Sequence, residues 1–317
     1  MKRDTKRSRR ASRNPAKGFI IILVMAGIFF TLAYRAADRK APDPIESRNP
    51  TMAVAAKNID NKPTKQPPTA NAPSNARGFT VRIKTSEISD THFLELVNVD
   101  YSLNEEPEDD TLASAWPGVP VLTTDVTLNK TAKSAVTAML AAAGETADGP
   151  YYISSGYRNY AEQKKLYNGM ADKSYVQPPG HSEHETGLAA DIMVKGLTQY
   201  VMAVSADGKW LAENSWQYGL ILRYPQNKVD VTGISYEPWH FRYIGQPHAW
   251  YCQQNNLCFE EYIQFLKDNG GYTAEIDGTN YTVLYEIPQN GIIYLPDSRN
   301  YNVSGDNTGG YIVTTWE

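Results

Sequence analysis

Three short segments of the chain combine residue types that could bind a metal ion and use it. They lie at residues 155–158, 180–191 and 237–240, and they supply imidazoles, carboxylates and a guanidinium. A hydrolytic zinc site has three protein ligands and an open fourth position, and a nearby carboxylate takes a proton from the attacking water. An arginine can grip a carboxylate or polarise a carbonyl. These residue types predict a zinc-dependent hydrolase.

The spacing within these segments resembles a known family. Ser182 to Asp191 reads Ser-x-His-x-x-Gly-x-Ala-x-Asp, and Glu237 to His240 reads Glu-x-x-His. Both patterns are similar to the signatures of the LAS metallopeptidases, specifically the VanY-like D-alanyl-D-alanine carboxypeptidases. Further phrases of that branch match at residues 155–163, 179–184, 223–225 and 237–243. The resemblance covers roughly residues 124–266.

The resemblance implies how a zinc ion would be held. His184 would bind Zn²⁺ from the loop before a strand, Asp191 from that strand, and His240 from its neighbour. Glu237 would take the proton of the attacking water and return it to the leaving amine. On an ideal strand Glu237 and His240 would face opposite sides, so the proline between them is expected to bend the segment towards one pocket. His181 is expected to have a structural role.

The resemblance also implies which residues meet the substrate. Arg158 would stabilise the carbonyl oxygen as charge develops, or would anchor the terminal carboxylate of the substrate. Gln163, Ser182 and Tyr224 would line the pocket for the terminal residue. The implied reaction is removal of the C-terminal D-amino acid from peptidoglycan stem peptides or their precursors, by a D,D-carboxypeptidase acting on D-Ala-D-Ala.

Other functions stay open at this point. An L,D-carboxypeptidase acting on tetrapeptide stems would carry the same motifs. A zinc-containing wall-binding module without activity is disfavoured by the intact Glu237 and Arg158. An endopeptidase or released lysin that cuts cross-links is disfavoured by the membrane tether described below.

The apolar periodicity of the sequence predicts helices and antiparallel strands that form an α+β domain. The resemblance implies that this domain is of the LAS type, with an antiparallel sheet and flanking helices. Asn129 is expected to cap a helix that ends at Gly144, and further helices are expected at residues 160–170 and 209–218. Strands are expected at residues 79–83, 93–97, 151–154, 188–194, 219–224 and 239–244. Strand-like segments at 281–285, 292–295 and 311–315 predict a small β appendage after this domain.

The N-terminal part of the chain predicts a membrane anchor and a tether. Eight basic residues and one acidic residue precede an apolar, charge-free run at residues 18–34. A basic flank stays in the cytoplasm, so we expect a single-pass signal anchor with the catalytic domain outside the cytoplasm. A cleaved signal peptide is the alternative. Residues 35–77 contain seven prolines and predict a flexible tether.

These features predict the boundaries of five segments of the chain. They are a cytoplasmic basic tail at 1–17, a transmembrane anchor at 18–34, a Pro-rich tether at 35–77, a zinc carboxypeptidase domain at 78–270 and a β-rich appendage at 271–317. The chain carries a net charge of −4 and its first 77 residues carry +11, which leaves −15 for the remainder. Such an acidic domain argues against nucleic acid as a partner. The acidic run at 105–110 is expected to be a solvated loop.

Two cysteines and two histidines lie outside the motifs. Cys252 and Cys258 are six residues apart, and outside the cytoplasm such a pair favours a small disulfide loop. His92 and His248 are expected at the surface.

Overall fold

The computed structural model describes residues 79–144, 149–297 and 300–317. The predicted basic tail, membrane span and tether lie outside these ranges. Of the helices that are described, none is long and apolar enough to cross a membrane. The helices are α1 (Lys130–Ala142), α2 (Tyr160–Gly169), α3 (Gln199–Val204), α4 (Ala206–Asn214), α5 (Val229–Thr232), α6 (His248–Asn255) and α7 (Phe259–Asn269). The strands are β1 (Phe79–Lys84), β2 (Leu112–Ser114), β3 (Thr127–Asn129), β4 (Tyr151–Ser155), β5 (Ala189–Val194), β6 (Leu220–Leu222), β7 (His240–Tyr243), β8 (Gly271–Ile276), β9 (Thr279–Glu286), β10 (Ile292–Pro296), β11 (Tyr301–Gly305) and β12 (Tyr311–Trp316).

An antiparallel four-stranded sheet in the order β4-β5-β7-β6 carries Ser155, Asp191 and His240 of the motifs. Asp191 lies opposite His240 in the β5–β7 pair, and Ser155 lies opposite Asp191 in the β4–β5 pair. Residues directly opposite each other in such a pair have Cβ atoms about 4.5–5.5 Å apart. The strand register alone therefore brings two of the predicted metal ligands together.

Helix α1 packs on this sheet because its apolar residues fall on one face at helical spacing. Asn129 caps the helix by accepting a hydrogen bond from the Thr131 N–H at 2.9 Å, and Gly144 follows its last turn with a φ of 81°. Both ends were predicted. The shared core includes Val136, Met139 and Leu140 of the helix and Ile153, Ile192 and Phe241 of the sheet.

The C-terminal region forms a second antiparallel sheet in the order β11-β12-β9-β8. Two of the three strands predicted there, β9 and β12, lie in this sheet with β8 and β11, and the third, β10, lies in a separate two-stranded sheet. Strand β1 belongs by sequence to the range predicted for the zinc domain, yet it pairs with β10, with Ile83 opposite Ile293. The first described strand and the C-terminal β region thus form one structural unit.

The strand predicted at residues 93–97 is wrong. This segment is irregular, although Leu94 and Leu96 are buried as an apolar strand would be. Its backbone groups bond elsewhere, since the Leu96 N–H donates to the Asp306 carbonyl at 3.1 Å and the carbonyls of Phe93 and Glu95 accept from a buried arginine. The segment therefore joins the two sheets instead of extending one of them.

The predicted disulfide is absent. Cys252 and Cys258 are both buried, free thiols. The chain between them turns from α6 into α7 through Asn256, whose φ is 51°. The Cys258 N–H donates to Glu261 at 2.9 Å, so this cysteine caps the start of α7.

The surface position predicted for His92 is confirmed, and that predicted for His248 is wrong. The side chain of His92 is 67% exposed. His248 is buried, with its Nδ1 2.5 Å from the Tyr262 hydroxyl and its Nε2 3.0 Å from Thr314 Oγ1. Both ring nitrogens have partners, which is how a polar ring is accommodated in a core.

The acidic run at residues 105–110 is largely exposed, as predicted. One of its members also has a structural task. Glu106 accepts a hydrogen bond from the backbone N–H of Tyr160 at 2.5 Å and lies 3.5 Å from the Tyr157 hydroxyl. It therefore braces the segment that contains Arg158.

Candidate active site

The three predicted metal ligands converge. His184 lies on the 3₁₀ turn Glu183–Thr186 just before β5, Asp191 lies on β5, and His240 is the first residue of β7. Asp191 Oδ1 is 3.4 Å from His184 Nε2 and 3.1 Å from His240 Nδ1. One ligand atom from each residue lies within 4.8 Å of the others. Two imidazoles and one carboxylate are a ligand set that catalytic zinc uses.

The Asp191 oxygen at the centre of this group fits a cation. Oδ1 is buried, and no residue in the described ranges makes a hydrogen bond to it. Buried polar oxygens are almost always hydrogen-bonded or bound to an ion. The Nδ1 of His184 is 2.7 Å from the carbonyl of Gly156, so it donates there and leaves Nε2 free for a metal.

The charges around the group also favour a positive ion. Burial alone would raise the pKa of Asp191, but His184 and His240 hold it well below its usual range. Burial alone would lower the pKa of His240, yet the adjacent carboxylates of Asp191 and Glu183 raise it to about 9. The carboxylates therefore stabilise a positive charge at this position, even when it is carried by the imidazole of His240.

Two motif glycines allow the ligands to reach this arrangement. Gly187 ends the 3₁₀ turn with a φ of 71°, and a Cβ there would lie 2.8 Å from Leu112 Cδ2. A Cβ on Gly156 would lie 2.2 Å from the Thr127 carbonyl, so a side chain would force Gly156 to move and would displace its own carbonyl, which orients His184. Glycine is therefore favoured at both positions.

Glu237 lies beside the three ligands. The His240 N–H donates to the Glu237 carbonyl at 3.2 Å, so the segment turns before β7 begins. Both side chains consequently enter one pocket, with Glu237 Oε2 3.7 Å from His240 Nδ1. Burial raises the pKa of Glu237 to about 8. The charge of Asp191 also raises this pKa, and the charge of His240 lowers it.

Neither of the other two nearby carboxylates is free to accept a proton. Glu185 accepts hydrogen bonds from the Gly180 N–H at 2.8 Å and from the Ser182 N–H at 3.3 Å. Glu183 is held by two buried arginines. Glu237, by contrast, accepts no hydrogen bond from the part of the chain that the structure describes, which leaves its oxygens available for proton transfer.

Arg158 is fixed with one nitrogen unused. Its Nε donates to Gln163 Oε1 at 2.9 Å and its Nη1 donates to Ser155 Oγ at 2.7 Å. Within the described ranges Nη2 has no hydrogen-bond partner. Burial lowers the pKa of Arg158, and the charges of Asp191 and Glu237 oppose this, which places the guanidinium near both carboxylates.

The three residues predicted to line the substrate pocket occupy different positions. Gln163 is fully buried behind Arg158, and its Nε2 donates to the Gln177 carbonyl at 2.7 Å, so both ends of its amide are engaged. Ser182 is buried next to His184. The ring of Tyr224 lies 4.9 Å from the ring of His240. Tyr224 therefore forms a wall of the metal centre, whereas Gln163 acts on Arg158.

Some of the residues that build the site were not predicted. Ser155, which holds Arg158, was identified only as part of a motif phrase. Glu183 and its partners Arg223 and Arg242 were not assigned a joint role. The available signal was the presence of charged residues within the short apolar segments around β6 and β7, because a buried charge requires a partner of opposite charge.

Three converging candidate metal ligands with an unengaged carboxylate beside them are the arrangement expected of a metal-dependent hydrolase. A family model described as VanY, D-alanyl-D-alanine carboxypeptidase, matches residues 125–246, which contain every site residue named above. The chain is 36% identical over 190 residues to the putative carboxypeptidase YodJ of Bacillus subtilis (strain 168), covering 56% of this chain and 68% of that protein. The chain therefore belongs to the VanY family, and the resemblance identified in the sequence is confirmed.

Two further comparisons agree with this assignment. A D-alanyl-D-alanine carboxypeptidase of Enterococcus faecium is 41% identical over 167 residues, covering 52% of this chain and 54% of the relative. The chain thus spans about half the length of that relative. The crystal structure of the vancomycin resistance D,D-dipeptidase VanXYg, in complex with a D-Ala-D-Ala phosphinate analog, has a TM-score of 0.65 and 29% identity, covering 75% of this chain and 98% of that one.

Proposed function

We propose that this protein is a zinc-dependent D,D-carboxypeptidase that removes the C-terminal D-alanine from peptidoglycan stem peptides or their precursors. The observation that carries the proposal is the convergence of His184, Asp191 and His240 around a buried carboxylate oxygen without a hydrogen bond, with Glu237 unengaged beside them. The choice of D-Ala-D-Ala as substrate is supported by the names of the relatives, in particular the E. faecium carboxypeptidase and the D,D-dipeptidase.

Zinc held by His184, Asp191 and His240 would supply Lewis-acid polarisation of the scissile carbonyl and would make the attacking water more acidic. Glu237 takes the proton from this water and passes it to the leaving amine of D-alanine. Its carboxylate lies beside the candidate ligands and accepts no hydrogen bond from the residues described, so it is free to accept and release a proton.

Arg158 supplies a positive charge next to the substrate. Because Ser155 and Gln163 fix two of its nitrogens, Nη2 can donate to a substrate oxygen without further ordering of the side chain. We assign it to the carbonyl oxygen on which negative charge develops. Ser182 and Tyr224 line the pocket for the terminal residue beside the metal centre.

We also propose that the catalytic domain works outside the cytoplasm, on a single-pass anchor formed by residues 18–34. The support is the apolar run and its strongly basic flank. Anchoring would keep the enzyme close to membrane-linked precursors and to the inner face of the wall.

Mass spectrometry of stem peptides incubated with the purified full chain tests the activity. A pentapeptide ending in D-Ala-D-Ala should lose one alanine, and a tetrapeptide should remain intact. Cleavage of the tetrapeptide alone would assign L,D-carboxypeptidase activity instead. A chain that binds zinc and releases no amino acid from either peptide would be a binding module.

A further inference from the structure

Glu183 lies next to the candidate ligand His240, and its two oxygens have different partners. Oε1 accepts from Arg223 Nε at 2.7 Å and from Arg242 Nη1 at 2.9 Å. Oε2 lies 3.4 Å from His240 Nε2. The carboxylate is fully buried, and it has no role in the reaction proposed above.

The two arginines are themselves fixed, so Glu183 has one orientation. Arg223 uses its remaining nitrogens on Glu260, at 2.8 and 2.5 Å. Arg242 uses Nη2 on the carbonyls of Phe93 and Glu95, at 3.1 and 3.0 Å. Both guanidiniums are fully buried. Rotation of Glu183 would leave buried charge without a partner, which is strongly unfavourable.

We propose that Glu183 is a positioning residue that selects the nitrogen through which His240 binds the metal. This inference rests on the proposed zinc site. An ionised carboxylate can only accept hydrogen bonds, so the His240 Nε2 that faces Glu183 carries the hydrogen. In the neutral ring, the form that can bind a metal ion, the lone pair is then on Nδ1, which is the nitrogen 3.1 Å from Asp191 Oδ1. A carboxylate behind a metal-bound histidine also makes the imidazole a stronger ligand.

The same selection occurs at His184 by different means. There the carbonyl of Gly156 accepts from Nδ1 at 2.7 Å and leaves Nε2 for the metal. The two histidines therefore bind through different nitrogens, Nε2 on His184 and Nδ1 on His240. Each assignment is fixed by an acceptor on the far side of the ring.

The substitution Glu183→Gln tests this role because the arginines dictate how the new amide is oriented. Arg223 and Arg242 donate, so they retain the carbonyl oxygen of glutamine and turn its NH₂ towards His240. That NH₂ donates to Nε2 and forces the hydrogen onto Nδ1, which can then no longer bind the metal. We expect zinc affinity to fall about 10- to 100-fold, the usual effect of losing such a partner.

Glu260→Gln is the matched control. It removes one negative charge from the same arginine network by the same substitution, but Glu260 contacts Arg223 and Asn98 and does not contact His240. We expect it to lower thermal stability and to leave zinc affinity near the wild-type value. Equal losses of affinity in the two variants would show that Glu183 acts only through the network, and would overturn the proposal.

The measurements are zinc affinity by competition with a chromophoric chelator, and the visible absorption of the Co²⁺-loaded full chain. Glu183→Gln should weaken zinc binding and change the Co²⁺ spectrum, whereas Glu260→Gln should preserve both. If Glu183→Gln does not fold, the charge-balanced Glu183→Gln/Arg242→Gln variant replaces it, because Arg223 still retains the carbonyl oxygen. Unchanged affinity and spectrum would overturn the role of Glu183 alone. A wild-type chain without zinc affinity would overturn the proposed site as well.

Discussion

Two carboxylates at the candidate site differ from the other buried acids of the protein. Asp191 Oδ1 and the carboxylate of Glu237 accept no hydrogen bond from the residues described, whereas Glu183 and Glu185 are bound by arginines and by backbone N–H groups. Asp191 Oδ1 is buried without a hydrogen bond, which is unfavourable in a fold, and the carboxylate of Glu237 is unengaged, so both groups are available for another use. Here that use is ligation for one and proton transfer for the other.

Glu237→Ala should separate the chemistry from metal binding. We expect the variant to fold and to keep its zinc, because Glu237 is not among the three ligands, and to lose about 10²- to 10⁴-fold in kcat, the usual contribution of a general acid–base group. Steady-state kinetics with zinc analysis measures both. Near-normal turnover would exclude Glu237 as the base.

Arg158→Lys tests the assignment of Arg158 to the developing charge. Lysine cannot reproduce the forked contacts to Ser155 and Gln163, so its ammonium would not be held at the same point. We expect kcat to fall. An increase in KM at constant kcat would show instead that Arg158 grips the terminal carboxylate equally in ground and transition states. Unchanged values of both would make Arg158 structural.

At the level of elements, the predictions succeeded where local signals decide the structure. Helix α1, with Asn129 at one end and Gly144 at the other, and strand β5 follow from caps and periodicity. The segment at 93–97 has a strand-like pattern but no strand, because its carbonyls bind Arg242, which is distant in sequence. Helices α6 and α7 had no counterpart among the predicted elements, since the region was interpreted as a disulfide loop.

The candidate site was likewise predicted only in part. Its ligands could be predicted from motif spacing, because the motif records the chemistry. The orientation of the rings could not, because it depends on partners such as the Gly156 carbonyl and Glu183, whose contacts arise only from the strand register and from a buried ion network.

Gly187→Ala tests the turn that carries His184. A residue other than glycine at a φ of 71° costs about 1–2 kcal/mol, and overpacking against Leu112 adds about 1–3 kcal/mol. Gly196→Ala is the control, because Gly196 has a φ of 77° but open space around it. Chemical denaturation should show a larger loss of unfolding free energy for Gly187→Ala. Equal losses would mean that close packing at Gly187 is unimportant.

At the level of the whole molecule, the C-terminal β region is joined to the part of the chain before it by contacts between residues far apart in sequence. Strand β1 pairs with β10, Leu94 donates to Ser304, and His248 at the start of α6 bonds to Thr314 on β12. Pairings across more than sixty residues leave no local pattern, which is why this joint could not be predicted.

The packing of α6 against β12 should become less stable in acid because of His248. Burial lowers its pKa to about 3, whereas an unfolded histidine titrates near 6.5. Between these values the unfolded chain binds more protons, so the free energy of unfolding should fall with decreasing pH, by up to about 1.4 kcal/mol per unit. Denaturation of wild type and His248→Gln at pH 7 and pH 5 isolates this contribution from that of the other acids. The same pH dependence in both proteins would contradict it.

Metal analysis of the full chain and of His240→Ala tests the central claim most directly. If His184, Asp191 and His240 form the site, the wild-type protein should bind about one zinc ion per chain. His240→Ala should lose the ion and the carboxypeptidase activity, and it should be less stable to heat, since metal binding and folding are coupled. Full zinc content in His240→Ala would remove His240 from the metal site and contradict the account.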